Sequence, residues 1–171
     1  MKPKAIVFDA YGTLFDVNSA AERCKNKLGN KWENFANFWR TTQLEYTWLR
    51  SLMKKHKDFW QVTEDSLDKS MKVFNIDNNL KNELLNLYKV LSPYPEVKKV
   101  LTDLKEKKFK LAILSNGTPE LLEELVKKNN LTYKYLNISV EDRPNKSRFG
   151  NSFTTDIVLL KSFLKTLFMK Y

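Results

Sequence analysis

The sequence predicts an α/β protein with a parallel sheet and a helical unit inserted after the first strand. Two short apolar runs, at 4–8 and 109–114, are rich in strand-forming residues, and each is followed by polar or turn residues. The long segment between them, 17–92, has apolar residues at helical spacing and no strand pattern. Strands that alternate with helices are typical of a parallel α/β sheet, so we expect this class.

The first predicted strand reads Lys-Ala-Ile-Val-Phe and covers Lys4 to Phe8. Asp9 follows it directly, and Gly12 marks a turn. In open α/β sheets, ligands bind at the carboxyl ends of the strands. The sequence therefore places Asp9 where a functional carboxylate is expected.

The segment after this strand predicts a helical insert. A spacing of three, four and seven predicts a long helix through Trp32, Phe35, Trp39, Tyr46, Leu49 and Met53. A second helix is predicted through Leu80, Leu84, Leu87, Tyr88 and Leu91. Prolines at 93 and 95 then return the chain to the sheet. We expect a core of residues 1–16 and 93–171 and a helical cap of residues 17–92, which would cover the strand ends as a lid.

The second half of the chain repeats the order of helix, strand, turn and helix. Val97, Val100, Leu101 and Leu104 predict an amphipathic helix before the strand at 109–114. Ser115, Asn116 and Gly117 form the following turn. Thr118 suits the cap of the next helix and Pro119 its first turn. Ser115 therefore also falls at the carboxyl end of a strand. Near the end of the chain, 153–168 carry a further helical stripe.

The composition of the chain excludes several classes of protein. The chain has 171 residues, of which 42% are hydrophobic, so it can fill one core. Its single cysteine, Cys24, excludes an internal disulfide and a zinc cluster and fits a reducing cytosol. The apolar run after Met1–Lys4 is too short for a signal peptide, and no apolar stretch reaches membrane-spanning length. We therefore expect a soluble, cytoplasmic protein that does not bind membranes.

The net charge of +10 does not by itself predict a nucleic-acid partner. The lysines are spread over the predicted helices and mixed with Asp and Glu, which is typical of solvated surfaces. We expect no nucleic-acid binding. A weaker interpretation is that the positive potential attracts a small anionic substrate.

Each candidate site residue has an ordinary structural alternative. Asp9 is costly to bury unless it caps a turn, pairs or reacts, so it is either a loop cap or a catalytic group. Ser115 and Asn116 can bind an anion beside a helix N-terminus, or can simply make a turn. Arg40, on the long insert helix, can hold an anion or lie on the surface. His56 lies in a basic turn and receives no catalytic role.

The residues resemble a known family. The stretch 9–17, Asp-Ala-Tyr-Gly-Thr-Leu-Phe-Asp-Val, resembles the nucleophile motif of the haloacid dehalogenase superfamily. Residues 39–53 are similar to the signature helix of type II L-2-haloacid dehalogenases, and 111–117 match their second core motif. The resemblance runs from about residue 4 to about residue 140. It implies a Rossmann-like core with a helical cap after the first strand.

The resemblance also implies a mechanism and a substrate. Asp9 would attack C2 of a small anionic L-2-haloalkanoate to form an ester, with Thr13 orienting Asp9, and water would then release the D-2-hydroxy acid. The halide would leave towards Arg40 and Asn116. Ser115 would hold the substrate carboxylate. Three further residues match positions that line the family's apolar pocket: Tyr11, Leu44 and Phe59. The resemblance implies a homodimer and no metal or other cofactor.

Tyr11 separates two subfamilies on chemical grounds. Phosphatases of the superfamily carry a second Asp two positions after the nucleophile, which protonates the leaving alkoxide. Here that position is Tyr11. Halide is a stable leaving group and needs no proton, so a dehalogenase can dispense with the acid. A Mg²⁺-dependent phosphatase is the enzymatic alternative. A truncated remnant that only binds ligand is the non-catalytic one.

The resemblance breaks after about Asp142. The family has a lysine shortly after a Ser-Val-Asp-like stretch, matched here at 139–142, and later a Ser-Ser-Asn-x-x-Asp loop. Here Arg143 to Lys146 follow instead; Lys146 lies near the expected place but has no Pro after it, and the later loop does not occur. We therefore expect a core that is incomplete on its C-terminal side, from a frameshift or a truncated gene. The other reading frames of the coding DNA would test this.

Overall fold

The fold is described by a computed structural model that covers residues 5–131. Strand β1, Ala5–Phe8, pairs in parallel with β2, Lys110–Ile113. Their register places Ala5 beside Lys110 and Phe8 beside Ile113, so both strands end at the same edge. Beyond the strands, the Leu114 N–H donates to the Phe8 carbonyl (2.8 Å). The predicted parallel α/β sheet is confirmed, and its strand ends form the floor of the site described below.

Helices fill the segment between the two strands, as predicted. Their bounds are α1 Ser19–Arg23, α2 Lys25–Leu28, α3 Trp32–Leu52, α4 Phe59–Phe74 and α5 Lys81–Tyr88, with short 3₁₀ turns at Gly29–Lys31 and Asn78–Leu80. Helix α3 is the long helix that the sequence predicts, and it packs mainly against α4. Its first half is buried through Phe35, Ala36 and Trp39. Its C-terminal end leaves Trp48 (61%) and Leu52 (80%) exposed.

Helix α4 starts and stops at well-defined caps. The Asp58 carboxylate accepts a hydrogen bond from the Gln61 N–H (2.8 Å), which satisfies one of the free amides of the first turn. Asn75 ends the helix in the left-handed conformation (φ 51°), which asparagine tolerates well. The side of α4 that is buried is rich in small polar residues, among them Thr63, Ser66 and Ser70. The hydroxyls of these three residues donate to carbonyls within α4, and the Thr63 hydroxyl also accepts from Gln43 of α3.

The insert leaves and rejoins the core at one place. The Asp16 N–H donates to the Ser92 carbonyl (2.8 Å), and the Tyr94 N–H donates to the Leu14 carbonyl (3.1 Å). Arg23, at the end of α1, donates to the Val90 carbonyl (3.0 Å) and to the Ser92 hydroxyl (2.8 Å). The outgoing and returning segments are thus tied to each other. On this basis we propose that residues 17–92 form the cap as one unit.

The core continues with two helices that match the sequence prediction. They are α6, Val97–Glu106, and α7, Pro119–Lys128. Thr118 caps α7 by accepting from the Leu121 N–H, and Pro119 occupies its first turn. Phe8 and Ile113 of the sheet join one hydrophobic cluster with Leu101 and Leu125 of these helices.

The predicted helix at 153–168, Lys146 and the expected incomplete C-terminal side all lie outside the described residues. Within 5–131, no helix is both long and apolar enough to cross a bilayer.

Candidate active site

Asp9 lies at the first position after β1, with its side chain exposed. The Thr13 hydroxyl donates to the carboxylate oxygen Oδ2 of Asp9 at 3.4 Å, the long end of the hydrogen-bond range. The turn between them is held by its backbone, because the Ala10 carbonyl accepts from the Leu14 N–H (2.9 Å) and from the Phe15 N–H (3.0 Å). A tight turn at the end of β1 therefore presents a carboxylate at the sheet edge.

Arg40 reaches from α3 of the insert to this turn. Its Nη2 donates to the Tyr11 carbonyl (3.1 Å), and its Nη1 donates to Oε1 of Gln43 (2.8 Å). Gly12 has a φ of +88°, which only glycine adopts readily, and a Cβ there would lie 3.5 Å from Nη2 of Arg40. Arg40 is half-buried, and its guanidinium lies against the turn that follows β1.

The end of β2 brings Ser115 and Asn116 to the same edge. Ser115 is buried, and its hydroxyl oxygen accepts from the Gly117 N–H (3.2 Å), whereas Asn116 is exposed. Gly117 packs directly on Tyr11: a Cβ at this position would lie 2.6 Å from Cε2 of that ring. The absence of a side chain at Gly117 is thus what lets the Tyr11 ring fit against the strand end.

Tyr11 is buried between aromatic rings of the insert. Its centroid lies 4.4 Å from that of Phe59 and 6.0 Å from that of Tyr88, with the Tyr88 ring nearly parallel. Burial, with smaller contributions from Tyr88 and Asp9, raises the pKa of Tyr11 well above its usual range. Tyr11 therefore stays neutral at ordinary pH and is a much weaker acid than a carboxylic acid at this position would be.

These groups meet in one cavity of about 280 Å³. Seven of the eight residues that the sequence singled out line it: Asp9, Tyr11, Arg40, Leu44, Phe59, Ser115 and Asn116. Thr13 does not line the cavity but contacts it through Asp9. The cavity is therefore bounded by both the strand ends and the insert.

Sequence reasoning missed four further lining residues: Gln43, Thr47, Trp48 and Leu114. Thr47 and Trp48 lie one turn beyond Leu44 on α3, so helical spacing from Leu44 is the signal that could have found them. His56 is exposed in the turn between α3 and α4 and does not line the cavity. Cys24 is buried in the insert and does not line the cavity.

An aspartate after the first strand of a parallel sheet, facing an insert that covers the strand ends, defines an α/β protein with a carboxylate-centred site. The sequence profile of the haloacid dehalogenase-like hydrolases matches residues 3–152. The chain therefore belongs to the haloacid dehalogenase-like hydrolase family.

Curated relatives of the chain have narrower names. It is 44% identical over 131 residues to (S)-2-haloacid dehalogenase 1 of Pseudomonas sp. strain CBS-3, covering 75% of this chain and 58% of that protein. It is 42% identical over 130 residues to (S)-2-haloacid dehalogenase 4A of Burkholderia cepacia, covering 75% and 56%. The chain thus spans little more than half the length of these relatives.

Solved structures give the same likeness in three dimensions. An L-2-haloacid dehalogenase from Xanthobacter autotrophicus matches with a TM-score of 0.72 at 40% identity, covering 82% of this chain and 58% of that one. The structure of the Xanthobacter protein with chloropropionic acid covalently bound matches with a TM-score of 0.74 at 35% identity, covering 94% and 66%. The predicted fold, a Rossmann-like α/β core with a helical cap after the first strand, is thereby confirmed.

Proposed function

We propose that this chain carries the nucleophile and the substrate pocket of an (S)-2-haloacid dehalogenase. Asp9 attacks C2 of an L-2-haloalkanoate, and the halide departs with the electron pair of the carbon–halogen bond. Water then attacks the carbonyl carbon of the resulting aspartyl ester. This step restores the Asp9 carboxylate and releases the D-2-hydroxy acid, its configuration inverted at C2, together with a proton.

The observation that carries the proposal is the shared cavity. It is small, about 280 Å³, and holds Asp9 together with two groups that suit an anion, Arg40 and Asn116. Pockets for small molecules are commonly roughly 300–1,000 Å³, so this cavity lies at the small end of that range and suits a small substrate. A carboxylate and a fixed cation that line one cavity with apolar walls favour displacement of a leaving group that departs as an anion.

Other residues of the site bind the substrate carboxylate, exclude water and orient Asp9. The Ser115 hydroxyl accepts from the Gly117 amide, which leaves its own proton to donate to the substrate carboxylate. Tyr11, Leu44 and Phe59 supply apolar walls that exclude water while the ester forms. Thr13 orients Asp9 through its hydrogen bond. The names of the relatives, (S)-2-haloacid dehalogenases, support the same substrate class.

Tyr11 argues against the enzymatic alternative. A phosphatase of the superfamily protonates the alkoxide leaving group with a carboxylic acid at this position, whereas burial raises the pKa of Tyr11 and makes it a much weaker acid. A halide leaves without a proton.

We also propose that the protein is a homodimer, that it is cytoplasmic and that its activity does not depend on a metal. Size-exclusion chromatography with light scattering tests the dimer.

The test is halide release from L-2-chloropropionate in the presence of EDTA, with chiral analysis of the lactate formed. Asp9→Asn should abolish release, because the amide is a poor nucleophile of nearly the same shape. Asp16→Asn is the matched control, since Asp16 lies in the linker and caps the Asn18 N–H (2.9 Å) instead of lining the cavity.

Release by Asp9→Asn at the wild-type rate would reject the mechanism. Magnesium-dependent hydrolysis of p-nitrophenyl phosphate, with no halide release, would favour a phosphatase. A folded chain that binds 2-chloropropionate without turning it over would favour a binding remnant.

A further inference from the structure

Gln43 is a buried polar residue of the cavity that the mechanism above leaves unused. Its side chain is only 1% exposed, although it lies among the apolar residues of the insert. It follows Arg40 by three positions on α3, so the two side chains share one helix face. Burial of an amide is costly unless all its polar atoms are paired, so its partners show what it does.

The hydrogen bonds of Gln43 fix the direction of its amide. The Thr63 hydroxyl donates to the Phe59 carbonyl within α4 (2.8 Å), so its proton is already used. That hydroxyl can then only accept from Gln43, and Nε2 of Gln43 lies 2.5 Å from it. The amide oxygen must consequently point the other way, where it accepts from Nη1 of Arg40 (2.8 Å) and from the Tyr88 hydroxyl (3.2 Å).

Thr63 is itself held in place. The Trp39 indole N–H donates to the Thr63 carbonyl (3.1 Å), and Thr63 is fully buried. A directed series of hydrogen bonds therefore runs from the backbone of α4 through the Gln43 amide to the guanidinium of Arg40. Arg40 is fixed at its other nitrogen by the Tyr11 carbonyl (3.1 Å).

The acceptors of Arg40 are neutral oxygens in both of these hydrogen bonds. A carboxylate in place of the Gln43 amide would hold the guanidinium equally well but would cancel its charge. A neutral acceptor fixes the orientation and leaves a full positive charge directed at the cavity. An aliphatic side chain would leave the charge but would lose the orientation.

We propose that Gln43 is the positioning residue that holds the Arg40 guanidinium in place for the departing halide while leaving its charge uncancelled. This inference rests on the proposed function for its kinetic consequence. Its structural consequence, binding of a halide ion at Arg40, does not require turnover. The two are therefore measured separately.

The variants are chosen to separate charge from orientation. Gln43→Glu keeps the shape and adds a negative charge, and Gln43→Met keeps the length and removes the hydrogen bonds. The other glutamine of the chain, Gln61, is the matched control, because it lies on α4 outside the cavity and donates to Asp65 (2.9 Å). Gln61→Glu and Gln61→Met make the same chemical changes there. Circular dichroism and thermal melts establish that each variant is folded.

The first measurement is broadening of the ³⁵Cl NMR line of chloride by the full chain, which reports bound halide. We expect broadening by the wild type that is lost in Arg40→Met. Gln43→Glu should weaken chloride binding by about tenfold or more, the scale of one charge-assisted interaction, and Gln43→Met by a smaller factor. Both Gln61 variants should behave as the wild type. Recovery of chloride binding by Gln43→Glu at acid pH, where the new carboxyl is protonated, would support the charge argument.

The second measurement is kcat and KM for L-2-chloropropionate and L-2-bromopropionate. Chloride is the poorer leaving group, so its departure depends more on Arg40. We expect Gln43→Glu to lower kcat for the chloro substrate at least about threefold more than for the bromo substrate, because the lost interaction acts in the transition state. A general packing defect would lower both equally.

The outcomes distinguish the two proposals. Halide release by the wild type, with unchanged chloride binding and an unchanged chloro-to-bromo ratio in folded Gln43→Glu, would overturn the role of Gln43 and leave the dehalogenase intact. Chloride binding that depends on Arg40 and Gln43 in a chain without turnover would support the role of Gln43 and reject the activity. Absence of Arg40-dependent chloride binding in the wild type would overturn the inference.

Discussion

Gly117→Ala tests whether the strand end and the pocket wall are packed as tightly as the structure indicates. The added Cβ would lie 2.6 Å from Cε2 of Tyr11, 3.1 Å from its hydroxyl and 3.3 Å from Cγ of Leu122, whereas ordinary contacts begin at 3.4 Å. The Tyr11 ring would have to move by about 1 Å to restore a normal separation. It is only 5% exposed and is backed by Phe59 at 4.4 Å between ring centroids, so it has little room to do so.

The expected cost of this overpacking is about 1–3 kcal/mol in the free energy of unfolding, or a fall of roughly 2–12 °C in melting temperature. Thermal melts followed by circular dichroism measure it. The control is the same substitution in a Tyr11→Leu background, where the ring is gone and the alanine should cost much less.

A melting temperature that is unchanged or raised by Gly117→Ala would refute the reasoning. Gly117 does not have a positive φ, so the alanine carries no backbone strain of its own. Replacing glycine by alanine otherwise stabilises by restricting the unfolded chain, by roughly 0.4–1 kcal/mol. The two explanations therefore predict shifts of opposite sign.

Two further predictions concern single side chains. Thr13→Val should lower kcat for halide release by about tenfold or more, because the hydroxyl that orients Asp9 is lost. Thr13→Ser keeps a hydroxyl and should restore most of the rate. Equal rates in the two variants would contradict this. Burial opposes ionisation of Asp65, but hydrogen bonds from Arg50 and Gln61 outweigh it and lower its pKa below 3.8. Stability from this pair is therefore present above pH 3.8 and is lost as the pH falls through the folded-state pKa; urea unfolding should show a steeper acid loss in the wild type than in Asp65→Asn.

The sequence predicts the sheet and the strand-end residues because local chemistry determines them. Short, mainly apolar runs become the two strands, and the polar residue after each run falls at the carboxyl edge. Parallel pairing then brings Asp9 and Ser115 together without further information. Thr118 and Pro119 likewise determine where α7 begins. These features depend on residues that are neighbours in the chain.

Helix α4 and Gln43 were not predicted. The apolar residues of α4, among them Phe59, Val62, Leu67 and Met71, do recur at helical spacing, so this pattern is the signal that could have found the helix. Its buried Ser66 and Ser70 hydroxyls donate to carbonyls of α4 itself. Gln43 reads as a surface residue of α3 because glutamine is usually exposed. It has a polar partner in Thr63 of α4, and a pairing between residues 20 positions apart in sequence leaves no local pattern.

The exposed C-terminal end of α3 also shows that a sequence pattern can predict a helix without predicting which of its residues are buried. The apolar spacing predicts the helix correctly as far as Leu52. It does not predict that Trp48, Leu49, Leu52 and Met53 are exposed in the described part of the chain. The spacing of apolar residues predicts the helix, but the burial of each residue depends on what packs against its turn of the helix.

Backbone hydrogen bonds join Asp16 to Ser92 and Tyr94 to Leu14, so the two ends of the helical insert meet at one place on the core. The segment that leaves the core and the segment that returns to it lie side by side and are hydrogen-bonded to each other. The insert is therefore a loop whose two ends are already held together. Lengthening or shortening the helices changes the entropy of that loop only logarithmically and leaves the strand ends where they are. The joined ends therefore determine where the insert meets the core, and the contacts of Arg40, Phe59 and Tyr88 with Tyr11 are what a changed insert would have to keep.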